Sequence, residues 1–268
     1  DLYSEAHFPF EGHHKVFKRA KSLGLICFSS VFDIKSLELL EKLKAPAYKI
    51  ASLESLHFPL IERVCKTKKP IIISTGTLNL KEIDELIKFL KKNNCKNFAI
   101  LHCVTEYPSS YKNINLKTIS YIKNKYKCVT GFSDHTPGVG AAINSVSFGA
   151  SIIEKHFTCD RSSGGPDDSF SLEEDDLMEL CSATKTTWQA LGKVNYNLTD
   201  SEKGNVKFRR SLYFVCSLSA GDIITSKDIR SVRPGYGLAP KYFDQLLGTQ
   251  VLKSVEKNTP VTLETVRL

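Results

Sequence analysis

Six short, nearly continuous apolar runs recur along the chain. Each ends in small or polar side chains, and a helical pattern or a polar stretch follows. They occupy residues 25–32, 47–52, 70–76, 98–104, 128–135 and 150–157. A strand wetted on one face alternates apolar and polar residues. Continuous runs need cover on both faces, as in parallel sheets flanked by helices. The intervening segments can supply that cover. Ile34, Leu37, Leu39, Leu40 and Leu43 form one stripe over 34–44, as do Ile83, Leu86, Ile87 and Leu90 over 80–92. Asp33 and Asn79 stand at N-cap positions. A repeat of roughly 20–30 residues is that of parallel βα units.

Six such units predict an α/β fold of the (β/α)8 TIM type, where eight strands close the barrel. An open doubly wound sheet would need a glycine-rich phosphate loop after its first strand. Here run 25–32 leads into Val31-Phe32-Asp33 instead. Residues 12–23 read as a helix ahead of the first visible strand, and 173–191 as the last helix of the series. The chain begins at Asp1, and its one methionine is Met178. With six units of eight, this predicts an N-terminally truncated barrel over residues 1–192. A polar linker over 193–207 and a small β-rich domain over 208–268 follow. In that domain strands are expected at Ser211–Val215 and Pro260–Val266, with turns at Ala220-Gly221 and Pro234-Gly235.

Composition excludes several classes. At 41% hydrophobic and 25% charged residues, the chain is neither disordered nor fibrous. No apolar run approaches the ~20 residues of a membrane span, so a membrane is not expected as partner. The eight cysteines contain no CxxC pair and lie mostly in apolar runs. They read as reduced thiols of a cytoplasmic protein. The net charge is +8, and residues 201–268 hold 11 Lys and Arg against 6 Asp and Glu. That surplus is either a solvated surface or a basic cap for an anionic small molecule. No basic run interleaved with aromatics points to nucleic acid.

In barrels the chemistry gathers where strands end. Lys49 lies inside an apolar strand, where a cation is costly without an anion. It either reaches solvent or clamps a phosphate or carboxylate. His135 and His156 end consecutive strands, and neighbouring parallel strands lie about 5 Å apart. Both imidazoles can therefore reach one point. Either they are hydrogen-bonded core residues or they hold a divalent ion such as Mn²⁺. The Gly164–Asp167 turn is either a plain loop or places Asp167 to accept hydrogen bonds from sugar hydroxyls. Arg233 sits on an Arg-Pro-Gly-Tyr-Gly turn.

The strings YKIAS (48–52), ISTG (73–76), LHCVTEYP (101–108), GFSDHT (131–136), EKHFT (154–158) and GPD (165–167) occur in this order. Together they resemble the sialic acid synthase family, which condenses phosphoenolpyruvate with an acylamino sugar. The segment from Phe208 is similar to that family's antifreeze-like (SAF) domain. Leu2–Pro9, Cys27–Asp33, Gly164–Glu173 and the RPGYGL string look most like its pseudaminic acid branch. The resemblance implies 2,4-diacetamido-2,4,6-trideoxy-L-altrose as acceptor and pseudaminic acid and phosphate as products. It implies His135 and His156 as ligands of a divalent metal, Mn²⁺ first and Mg²⁺ or Co²⁺ as alternatives. It implies phosphoenolpyruvate contacts from Lys49, Ser30, Ser52, Thr105 and Ser133, with Lys49 and both histidines catalytic. Sugar-side contacts fall to Glu54, Tyr107 and Asp167. Arg233 would enter the partner subunit's site in a domain-swapped homodimer. The family's further glutamate and lysine on two earlier strands have no match here, so the 268-residue chain alone is expected to be inactive. The competing expectations are an N-acetylneuraminate or legionaminate synthase, and a non-catalytic sugar-binding barrel.

Overall fold

The computed structural model describes residues 8–268. The Leu2–His7 part of the pseudaminic-type string lies outside the described residues. The chain divides into two compact units, Asp1–Gly192 and Lys193–Leu268. Among the described residues no helix is long and apolar enough to cross a membrane.

In the first unit, helix α1 (Phe10–Ser22) precedes six alternations: β1 (Ser29–Ser30), α2 (Ile34–Lys42), β2 (Tyr48–Ile50), α3 (Phe58–Lys66), β3 (Ile71–Ser74), α4 (Leu80–Lys92), β4 (Phe98–Cys103), α5 (Lys117–Tyr126), β5 (Val129–Asp134), α6 (Gly140–Ser147), β6 (Ile152–Lys155) and α7 (Glu174–Leu191). The strands form one parallel sheet in chain order. This is the strand order of a (β/α) barrel, with six units present. The observed strands are shorter than the apolar runs. Run 25–32 yields only Ser29–Ser30, and Leu25 and Ile26 are exposed.

The helices start where local chemistry lets them. The Asp33 carboxylate accepts from the Ser36 N–H at 2.7 Å, and the Ser36 hydroxyl accepts from the Asp33 N–H at 3.0 Å. Asn79 and Glu82 make the same reciprocal box ahead of α4. The stripes then pack inward: Leu37 and Leu40 of α2, Ile83, Leu86, Ile87 and Leu90 of α4. They meet Tyr48, Ile50, Ile71 and Ile73 on the outer face of the sheet, all fully buried. The turns that return the chain to β2 through β5 each hold a residue at positive φ: Lys44, Lys68, Asn94 and Lys127.

The second unit starts within the polar segment expected as a linker. That segment carries a one-turn helix, α8 (Asp200–Lys203), fixed by a box between Thr199 and Glu202. Beyond it, β7 (Ser211–Phe214) pairs antiparallel with β8 (Ile229–Val232), and a short helix α9 (Phe243–Leu246) follows. The expected strand at Pro260–Val266 does not form. Pro260 and Val266 make isolated bridges to Tyr213 and Val251, and Thr262–Thr265 close a turn. Proline has no N–H for a ladder, and the Thr265 hydroxyl bonds Thr262, which favours the turn. Leu212, Phe214, Ile224, Ile229, Leu246, Val251 and Val261 form the core of this unit.

Asn79→Ala removes the side chain that bonds the Lys81 and Glu82 N–H groups. We expect it to cost about 1 kcal/mol, read as a lowered midpoint in denaturant unfolding.

Candidate active site

Side chains alternate across a strand, so the pairing register decides which residues share the inner face. Ser30 pairs with Lys49 and Lys49 with Ile72. Ser74 pairs with Leu101, Cys103 with Ser133, and Ser133 with Glu154. One parity therefore carries Ser30, Lys49, Ser74, Cys103, Ser133 and Glu154. Two residues further on, the same parity carries Thr105, His135 and His156, just beyond the ends of β4, β5 and β6.

Lys49 is buried, at 6% exposure, which removes the solvent-reaching alternative. Its Nζ lies 3.4 Å from Glu154 Oε1 and 3.1 Å from Ile50 O. The Ser133 hydroxyl donates to the same Glu154 oxygen at 2.7 Å. Glu154 thus compensates the cation from four strands away. In the sequence Glu154 stands only as the first residue of the EKHFT string, with no role of its own. The residues of opposite parity form a second buried pair, Asp134 and Lys155, at 3.0 Å.

Beside Lys49 lies a cradle of hydroxyls. Ser52, in the turn Ser52–Glu54, accepts from the Gly76 N–H at 3.0 Å. The hydroxyls of Ser74 and Thr105 are buried without a hydrogen-bond partner. A Cβ on Gly76 would stand 2.1 Å from Thr105 Oγ1, 2.8 Å from Ser52 Oγ and 3.2 Å from Cys103 Sγ. Glycine is required there by the closeness of these groups. Orphaned buried hydroxyls are costly, and their gathering next to a lysine fits an anion. Ser74 and Gly76 carried no assigned role in the sequence; the β3–β4 register is what reveals them. Ser30 is half-buried at the end of β1.

The two histidines stand with ring centroids 5.2 Å apart. The Tyr107 ring lies 4.2 Å from that of His135, and Phe170 lies 5.1 Å from His156. His135 Nδ1 is 2.9 Å from Val104 O, and His156 Nδ1 is 3.3 Å from Asp167 Oδ2. A carbonyl oxygen can only accept, so His135 donates through Nδ1–H to Val104 and keeps its lone pair on Nε2, and the nearby Asp167 carboxylate favours the same tautomer at His156. That is how metal-binding imidazoles are oriented, so the donor set fits a divalent ion. Among the described residues no group of three or more His, Cys, Asp or Glu converges on a metal position. The two imidazoles would hold such an ion together with water and substrate oxygens. Asp167, expected on the sugar, reaches His156 here.

Burial works against the His135 imidazolium, but hydrogen bonds to Cys103 Sγ and Val104 O outweigh it, and its pKa is raised. At His156 burial prevails over the opposing Asp167 charge, and the pKa falls. Partial desolvation at the rim also raises the Tyr107 phenol, and neighbouring negative groups, including Asp167 and Glu54, add to this. Glu54 is half-buried, and Tyr107 is exposed at the rim. His102, by contrast, is a structural residue whose Nε2 bonds Ile114 O at 2.6 Å.

Arg233 lies in the second unit, exposed, directly after β8. Its turn is pinned by Ser211, whose hydroxyl donates to Pro234 O at 2.8 Å and accepts from the Gly237 N–H at 3.0 Å. The arginine is thus displayed on a fixed support.

Residues 1–196 match the NeuB family and residues 209–267 the SAF domain. Pseudaminic acid synthase of Campylobacter jejuni is 35% identical over 256 residues, covering 96% of this chain and 75% of that protein. The N,N'-diacetyllegionaminic acid synthase of the same species is 34% identical over 251 residues, covering 92% and 75%. The crystal structure of N-acetylneuraminic acid synthetase from Leptospira borgpetersenii, in complex with citrate, superimposes with a TM-score of 0.73 at 31% identity, over 76% of this chain and 72% of that one. The chain belongs to the NeuB family, that of the sialic acid synthases, and carries a SAF domain after its βα units.

Proposed function

We propose that this chain belongs to a phosphoenolpyruvate-dependent nonulosonic acid synthase that forms pseudaminic acid. The reaction joins phosphoenolpyruvate, 2,4-diacetamido-2,4,6-trideoxy-L-altrose and water, and releases phosphate. The cradle of Lys49, Ser52, Ser74, Gly76 and Thr105 carries the reading. Its unpartnered hydroxyls beside a buried cation suit a substrate bearing both phosphate and carboxylate.

Carbon 3 of the enolpyruvate attacks the aldehyde carbon of the open-chain sugar, using the electron pair of its double bond. The aldehyde oxygen takes a proton and becomes a hydroxyl. Water adds at carbon 2 and loses a proton, and the C–O bond to phosphate then breaks. Lys49, Ser30, Ser52, Thr105 and Ser133 hold the anion in place while charge shifts. Tyr107 and Glu54 border the acceptor. A divalent ion, Mn²⁺ with Mg²⁺ or Co²⁺ as alternatives, would be held by Nε2 of His135 and His156 and would supply Lewis-acid polarisation of the aldehyde oxygen. Asp167 orients His156 and borders the sugar. The reaction belongs to the cytoplasm, where phosphoenolpyruvate is made.

The legionaminic relative is almost as similar as the pseudaminic one. The acceptor is therefore the point to test. In the complete protein, phosphate release is expected to be fastest with the altrose derivative among the pseudaminic, legionaminic and N-acetylneuraminic acceptors. It should vanish with chelator and return with Mn²⁺. His135→Ala or His156→Ala should lower it by more than about 100-fold. Release with no acceptor preference, or unaffected by His135→Ala, would defeat the assignment and favour a sugar-binding barrel.

Asp167→Asn tests the two roles of that carboxylate. Orientation of His156 predicts a loss of about 10–100-fold that excess metal partly restores. A raised sugar KM without metal dependence would mean that Asp167 serves the sugar alone.

We further propose a homodimer in which Arg233 serves the partner's site. Mixing inactive Arg233→Ala and His135→Ala proteins under subunit exchange should then restore phosphate release. Each mixed dimer would hold one site with both an intact barrel and an intact arginine. Persistent inactivity would place Arg233 in its own subunit's site or outside the chemistry.

A further inference from the structure

Behind the two histidines, on the face of the sheet that meets the helices, lies the second buried ion pair. Asp134 and Lys155 are the last residues to pair in register between β5 and β6, and each directly precedes one of the histidines. Their side chains are 0% and 4% exposed. Lys155 Nζ stands 3.0 Å from Asp134 Oδ2. The other carboxylate oxygen, Oδ1, accepts from the Thr136 N–H at 2.8 Å, and Lys155 Nζ also donates to Thr136 O. The pair thus holds both backbone polar groups of the residue that follows His135. The His135 carbonyl accepts from the Ser109 N–H at 2.9 Å, and that of His156 from the Leu172 N–H at 2.9 Å.

We propose that Asp134 and Lys155 are positioning residues that set the spacing of His135 and His156 for a shared divalent ion, an inference that rests on the metal reading above. Side chains alternate across a strand, so neither member reaches the inner face where the imidazoles stand. They act through the backbone. The register pairing stops at Asp134 and Lys155, and the imidazoles project one residue later. The ion pair extends the link past that point: an ammonium carried by β6 grips the Thr136 peptide beyond the end of β5. Stability alone does not call for charges here, because an apolar pair of similar volume fills such a site about as well. What an apolar pair lacks is direction. Charge-assisted hydrogen bonds hold the Thr136 peptide at one orientation, and the backbone of His135 is bound to follow it.

The test measures Mn²⁺ binding to the complete protein without substrates, from the electron paramagnetic resonance signal of the free ion. Asp134→Leu/Lys155→Met removes both charges together, so neither is left buried and unpaired. Its Mn²⁺ dissociation constant is expected to rise about 10–100-fold, while circular dichroism shows the native helix content. Phosphate release then falls at limiting Mn²⁺ and recovers toward the native rate in excess. Should that variant fail to fold, Asp134→Asn decides. It keeps an oxygen for the Thr136 N–H but drops the anion, and a rise of about 10-fold is expected. His135→Ala lacks a ligand and should lose the ion. If it does, a folded Asp134 variant with a lowered unfolding midpoint but a native dissociation constant overturns the proposal and makes the pair merely stabilising. Unchanged binding in His135→Ala overturns the metal reading, and the proposal with it.

Discussion

Six strands paired in parallel without a slip set the frame on which every other feature of the first unit rests. Side chains alternate along a strand, so one displaced residue would exchange the two faces of the sheet. Tyr48, Ile50, Ile71 and Ile73 would then turn from the helices, and Lys49 and Ser133 would turn toward them. The observed pairing keeps the branched side chains under the helical stripes and gathers the polar ones on the inner face. Lys49 and Glu154 meet across the sheet only because of this. The cost of burying a lysine is offset by a carboxylate from a strand that is distant in sequence.

Most of the fold is legible in the sequence. Period, run length and cap residues led to the strands and helices, because each signal is local. Asp33 and Asn79 cap helices as their positions required. What failed was also local in origin. Pro260–Val266 reads as a strand by composition, yet Pro260 lacks the donor and Thr265 closes a turn. The run from Leu25 contributes only two strand residues, and Leu25 and Ile26 in its first half stand exposed.

The site was legible in its charged and aromatic members, less so in its quiet ones. Lys49 stood out because a cation is costly inside an apolar strand, and His135 and His156 because they end consecutive strands. Glu154 was visible but without a task, since its partner is 105 positions away in the chain. Ser74 and Gly76 belong to the ISTG string but carried no role: a serine is ordinary at a strand end, and a glycine is ordinary in a turn. Only the packing of Thr105, Ser52 and Cys103 around Gly76 shows what these small residues do. Asp167 differs again. Its loop hinted at sugar contacts, while the coordinates bring its carboxylate to His156.

Gly76 also has a consequence for heredity. Every single-base change that alters a glycine codon without stopping translation yields a residue that carries a Cβ. At this position even alanine, the smallest of them, would run into the Thr105 and Ser52 hydroxyls. Neighbouring surface positions can drift through many acceptable residues, but this one has no tolerable neighbour in the genetic code. Lineages that keep the cradle must keep this glycine, and a copy that has lost it has taken a step that later drift elsewhere would have to repair.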